Sequence, residues 1–227
     1  MIKTLILEKL LLIRSHCSKN SIVMMILSIV IMFGAMFADS SEAAGFAGTV
    51  CPVLLSIFSV MLCSISDMHE SRSKFGKYLL AAPAAISDIS AAKYLFTFLI
   101  QTASTVISAV IIIAGTLISK TAVTFSLFTP TLLMYGFSMT FYSVYNLISL
   151  KHGDETANNA TGLIILGVFL LALIYALFGD LEIIAAIYDS LVSMSDEMPL
   201  LAAAYVFISM IFMLIGYAVS KKIHYIY

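Results

Sequence analysis

The residues best suited to chemistry in this chain are few, and most fail on spacing. Gly76 and Lys77 come nearest to a phosphate-binding loop. However, Ser71 stands where the first glycine belongs and Tyr78 follows the lysine, so the backbone cradle for nucleotide phosphates is lacking. His69 and Glu70 have no second histidine at the spacing that puts two imidazoles on one helix face. No Gly-x-Ser-x-Gly elbow presents a nucleophile. Cys17, Cys51 and Cys63 show neither metal nor disulfide spacing. No Asp, Glu, Lys or Arg sits well inside any long apolar stretch. That removes the group with which ion-coupled carriers hold their driving ion, and the carboxylates of an intramembrane protease. The chain is expected to perform no bond chemistry and to bind no metal or cofactor itself.

What remains is a set of uncharged polar residues at helical spacing. Thr97, Gln101, Ser104 and Ser108 share one face; Ser138, Tyr142, Tyr145 and Ser149 share another; Ser56, Ser59, Cys63 and Ser66 make a third. Two readings stay open. In one, Thr97, Gln101, Ser104, Ser108, Tyr142 and Tyr145 line a neutral path suited to an apolar or amphipathic cargo. In the other, all three faces hold helices together, each hydrogen bond being worth about 0.6–2 kcal/mol. Gln101 is the strongest single candidate, because a buried amide needs partners.

The elements that position these residues are read from hydropathy. Of 227 residues, 61 % are hydrophobic and 11 % charged, with a mean hydropathy of +1.06. Soluble domains carry roughly 25 % charged residues, so the bilayer must be the solvent here. Six segments reach the roughly 20 apolar residues that a span needs: 21–38, 47–66, 91–118, 123–150, 160–179 and 199–220. Lys3, Lys9, Arg14, Lys19, Arg72, Lys74, Lys77, Lys93, Lys151, Lys221 and Lys222 all fall on one side, and Lys120 alone on the other. The positive-inside rule makes the rich side cytoplasmic, with both termini there. Ile2, Leu5, Ile6, Leu10 and Ile13 predict an amphipathic interfacial helix over 1–18. Residues 180–198, apolar but interrupted by Asp180, Glu182, Asp189 and Asp196, predict an outer amphipathic or re-entrant helix. Gly34, Gly115, Gly136, Gly162, Gly167 and Gly216 are expected at close helix contacts. No cleavable signal is expected. The chain is thus read as a single all-α transmembrane domain, 1–227, in the plasma membrane, with no nucleic-acid partner.

The largest inner loop, 67–90, has a pattern of its own. Pro83 breaks it between two short helices, and Ser87 and Asp88 suit a helix start. The series Phe75, Lys77, Tyr78, Leu80, Pro83, Asp88, Ile89, Lys93 and Tyr94 resembles the cytoplasmic loop of small ABC-2 type permeases. Ala85 and Ile86 stand where that family has Ser-Arg. Lys151, Gly153, Glu155 and Ala157 resemble a second family segment, with Asn158 in place of its arginine. The resemblance implies a type V exporter-like architecture. Two permease subunits, identical or paralogous, would pair with two copies of a cytoplasmic ATPase that carries ATP and Mg. It also implies that Arg72, Lys74, Phe75, Lys77, Tyr78, Leu80, Pro83, Asp88, Lys151 and Glu155 meet that ATPase. Within the family the chain looks most similar to permeases exporting small amphipathic peptides such as phenol-soluble modulins. The competing reading is a non-transport anchor, sensor or immunity subunit that only holds a cytoplasmic partner.

Overall fold

The computed structural model describes residues 2–16, 43–72, 86–178 and 197–222. The predicted first span (21–38), most of the outer segment (180–198) and residues 73–85 of the inner loop lie outside them. Among the described residues the chain is all helical. The helices are α1 (Ile2–His16), α2 (Ala43–Arg72), α3 (Ile86–Ser119), a 3-10 turn (Phe125–Phe128), α4 (Thr129–His152), α5 (Asp154–Phe178) and α6 (Met198–Ser220). Prolines mark two starts: Pro130 and Pro199 occupy the first turns of α4 and α6, where a missing N–H breaks no bond. The sequence placed a cap at Ser87, but α3 already begins at Ile86, which leaves Asp88 in its first turn at the positive end of the helix.

Three described stretches are long and apolar enough to cross a membrane: Ala47–Ser64, Ser87–Ser119 and Met198–Ser220. At 34 residues, α3 is about 51 Å long and so exceeds the roughly 30 Å hydrocarbon core. Its apolar residues point outward in helical register, with Leu99, Val106, Val110, Ile113 and Leu117 all exposed. Val50, Val53, Ile57 and Met61 do the same on α2, and Leu200, Phe207, Ile211 and Leu214 on α6. A water-soluble bundle would bury such stripes; here they form the lipid-facing wall.

The polarity of α4 is inverted to match. It packs against α2, α3, α5 and α6. Its buried positions include Thr131, Ser138, Tyr142, Ser143, Tyr145, Asn146 and Ser149. With no water inside and no hydrophobic drive between helices in lipid, polar groups turn inward and bond to neighbours. Two glycines let α6 approach. A Cβ on Gly136 would lie 2.7 Å from the Tyr205 ring, and one on Gly216 would lie 2.5 Å from Ser143 Oγ. Thr140 donates to Ser209 Oγ at 3.1 Å and Ser143 to the Phe212 carbonyl at 3.2 Å, closing the same seam. Gly162 and Gly167, read from sequence as close-contact positions, have no described residue within 4 Å of an added Cβ.

Apolar clusters identify the two ends. Ala47, Cys51, Leu55, Ile111 and Ile112 gather with Leu127 and Phe128 near Lys120. Leu5, Ile89, Ala92, Tyr94, Leu150 and Met213 gather at the opposite, lysine-rich end. Basic residues therefore concentrate at one end of the bundle, as the sequence asymmetry requires. Cys51 and Cys63 are both buried.

The helix α1 lies at the lysine-rich end and touches α2 and α3. Leu5 is buried, and Ile2 and Ile6 pack on the core. Leu10, expected on the same stripe, is exposed together with Leu7 and Leu11. Its place is taken by Lys9, which is only 5 % exposed and lies 5.7 Å from the centre of the Phe96 ring. Thus α1 has two apolar faces, one on protein and one outward.

Candidate functional site

Two constellations stand out, one at the lysine-rich end and one running up the bundle. The first begins with the joint between α4 and α5, which is Gly153 alone. Gly153 has φ +86°, a left-handed value that suits glycine, and its N–H donates to the Ser149 carbonyl at 2.9 Å. Lys151 and His152 end α4, and Asp154 and Glu155 begin α5, so each charge sits where its helix dipole favours it.

Against this joint lies Lys93, two turns into α3. Its Nζ is 2.7 Å from Asp154 Oδ1 and donates to Ser149 Oγ at 2.7 Å; Ser149 Oγ in turn donates to Asp154. Lys93 is 5 % exposed and Asp154 10 %. Ions this deep survive only when paired and hydrogen-bonded, and removing one partner of such a pair typically costs about 3–5 kcal/mol. The triad fixes the α4–α5 joint to the helix that emerges from the inner loop.

Of the residues expected to meet a cytoplasmic partner, Lys74, Phe75, Lys77, Tyr78, Leu80 and Pro83 lie outside the described residues. Arg72 ends α2, and its side chain is likewise outside. Asp88 is half-exposed at the start of α3, while Lys151 and Glu155 are exposed beside Gly153. The Lys93–Asp154 pair brings the α3 entry and the α4–α5 joint to the same end. Sequence reading named Lys93 within a motif and Ser149 on a polar face, but did not single out Asp154. The available signal was a carboxylate directly after a helix-ending glycine, with a serine one turn before that glycine.

The second constellation is the polar seam. Gln101 is 2 % exposed. Ser59 Oγ lies 2.8 Å from Gln101 Oε1 and 2.7 Å from the Ser56 carbonyl, one proton serving two acceptors. Ser56 and Ser138 hydroxyls are 2.8 Å apart, and Asn146 Nδ2 donates to Thr97 Oγ1 at 3.3 Å. Ser104 donates to the Leu55 carbonyl at 3.0 Å. Tyr142 donates to the Val60 carbonyl at 2.5 Å, and Tyr145 to Asn158 Oδ1 at 3.1 Å. All three predicted polar faces thus meet along α2, α3 and α4. Among the described residues Gln101 Nε2 and Ser108 Oγ find no hydrogen-bond partner there although buried, the costly exception in any interior. Ser138 and Asn146 complete the seam; Asn146 lies one residue after Tyr145 and had no separate signal.

Among the described residues no group of His, Cys, Asp and Glu is arranged to hold a metal ion. In comparison with known families, residues 4–224 match the model described as ABC-2 family transporter protein. No curated protein and no solved structure matches the chain.

Proposed function

Because the chain belongs to the ABC-2 transporter family, we propose that it is the transmembrane permease subunit of an ATP-driven exporter. The observation that carries this reading is the family match itself, which runs over 4–224 of 227 residues and so covers all the described helices except the first two residues of α1. As a member of that family the chain is a membrane transport component.

The remainder of the proposal concerns what moves and what drives it. Two copies of this chain, or this chain and a paralogue, form the pathway with six spans each and both termini in the cytoplasm of a cell-membrane complex. Two copies of a cytoplasmic ATPase, which hold ATP and Mg, grip the inner loop through Arg72, Lys74, Phe75, Lys77, Tyr78, Leu80, Pro83 and Asp88. Lys151 and Glu155, beside the α4–α5 joint, extend that footprint. When the ATPases close, the loop carries α3 with it. Through Lys93 and Asp154 the α4–α5 joint follows. The neutral seam of Thr97, Gln101, Ser104, Ser108, Tyr142 and Tyr145 then opens as the route. Gln101 Nε2 and Ser108 Oγ, which have no hydrogen-bond partner among the described residues, favour a state that gives them one. A path without fixed charge suits amphipathic peptides or other hydrophobic cargo.

The test is ATP turnover by the ATPase reconstituted with this chain in vesicles. Deleting 77–88 is expected to abolish the stimulation that the intact chain gives, while the shortened chain still purifies as a single species. Turnover indifferent to that deletion would leave only an anchor, sensor or immunity role.

A further inference from the structure

An apolar groove of about 440 Å³ opens at the lysine-rich end between α3 and α6, with Ile2 of α1 closing one side. Ala91, Leu95 and Phe98 form one wall, and Met210, Leu214 and Tyr217 the other. Tyr94 also faces the groove, but its hydroxyl is turned into the protein, donating to the Ser143 carbonyl at 3.2 Å and accepting from Ser220 at 3.3 Å. We propose that this groove seats one acyl chain of an anionic phospholipid from the adjoining leaflet, with Lys221, Lys222 and Lys3 holding the headgroup.

The dimensions select the occupant. From Ala91 to Phe98, and from Met210 to Tyr217, the groove runs along seven residues of each helix, about 10 Å. That is a third of a hydrocarbon core about 30 Å thick, so the groove stays within one leaflet. A molecule crossing the bundle needs a longer channel, whereas a chain entering sideways from the leaflet does not. The volume lies within the roughly 300–1,000 Å³ typical of small-molecule sites.

The rim supplies the charge preference. Lys221 Nζ is held 4.2 Å from the centre of the Tyr217 ring, so one cation is already placed at the groove's end. Lys222 follows it and is exposed, and Lys3 is exposed beside Ile2. Among the described residues Asp88, one turn before Ala91, is the carboxylate on that side of α3, against the three lysines. A zwitterionic headgroup gains less from such a rim than an anionic one, by about fivefold per lysine near the surface.

The chain has no tryptophan, which makes the test direct. Phe98→Trp places a single emitter in the partly buried wall of the groove, and Phe207→Trp places one on the lipid-facing side of α6, where Phe207 is 66 % exposed. Each full chain is reconstituted in phosphatidylcholine vesicles and titrated with brominated-chain phosphatidylglycerol or brominated-chain phosphatidylcholine. The expected result is that the Phe98→Trp chain is quenched at a mole fraction of the anionic lipid lower by at least about fivefold, while the Phe207→Trp chain responds equally to both. Lys221→Ala with Lys222→Ala lowers the preference, and Ala91→Phe, which fills the groove, removes it. Equal quenching of the Phe98→Trp chain by both lipids overturns the proposal in favour of bulk lipid contact. Resistance to both overturns it in favour of a groove covered by protein or by cargo. If the Phe98→Trp chain does not fold, native mass spectrometry of the unaltered chain decides. Retained phosphatidylglycerol that is diminished in the double lysine variant supports the seat, and absence of retained lipid overturns it. None of these readouts depends on the transport reading.

Discussion

At the scale of single residues, the Lys93–Asp154–Ser149 triad carries the sharpest energetic consequence. Lys93→Met leaves a carboxylate that is 10 % exposed without the cation 2.7 Å away, and Asp154→Leu takes the nearest described carboxylate from a lysine that is 5 % exposed. Each single change is expected to lower stability by about 3–5 kcal/mol, whereas the double change, which removes both charges, is expected to recover most of that loss. Thermal unfolding in detergent, followed by gel filtration of the surviving species, measures the cycle. Non-recovery in the double variant would mean that the two charges are held by other neighbours rather than by each other. If the pair also transmits motion, the double variant regains stability without regaining the permease's effect on ATP turnover. Gln101 belongs at this scale too. The sequence marked it as an amide in need of partners, and among the described residues its oxygen has one and its nitrogen none.

Among elements, the close approach of α4 and α6 is the feature most exposed to substitution. Gly136→Ala drives a methyl to 2.7 Å from the Tyr205 ring and Gly216→Ala drives one to 2.5 Å from Ser143 Oγ, so each is expected to cost about 1–3 kcal/mol. Gly162→Ala and Gly167→Ala, with open space around them on α5, are expected to be neutral or to gain up to about 1 kcal/mol from reduced backbone entropy. The same thermal assay separates the two pairs, and equal effects at all four positions would refute the packing argument. The comparison also shows what was legible in the sequence. Hydropathy located α2, α3 and α6 to within a few residues, because a lipid-facing stripe must be apolar whatever the bundle does inside. Three polar faces were legible by period, and they do meet. Which glycines touch a neighbour was not legible, because contact is a property of two helices and the sequence reports one at a time. Asp154 went unnoticed for a related reason: its partner lies 61 positions away. Lys9 was read as one of the basic residues of the lysine-rich side, yet it lies beneath α1 against Phe96, because the long apolar stem of a lysine packs well on an aromatic ring.

For the whole molecule, the test is sidedness. The two ends are distinguished by Lys120 at one and by Lys9, Lys93, Lys151 and Lys221 at the other. In a Cys17→Ser background, Cys51 and Cys63 are buried and should stay silent. Ala122→Cys, in the exposed stretch after α3, is then expected to react in intact cells with a membrane-impermeant maleimide, while His152→Cys reacts only after lysis. The reverse pattern would invert the orientation and place the lysine-rich end outside. A final consequence concerns manufacture. Although 24 residues long, α4 is not among the stretches apolar enough to cross a membrane by composition, because its inward positions are hydroxyls, an amide and phenols. Alone, it would partition poorly from the insertion channel into lipid. Its most extensive partner, α6, is the last helix described and emerges from the ribosome well after it. The nascent chain must therefore keep α4 sheltered, against α2 and α3 or within the channel itself, until α6 arrives to complete its wrapping.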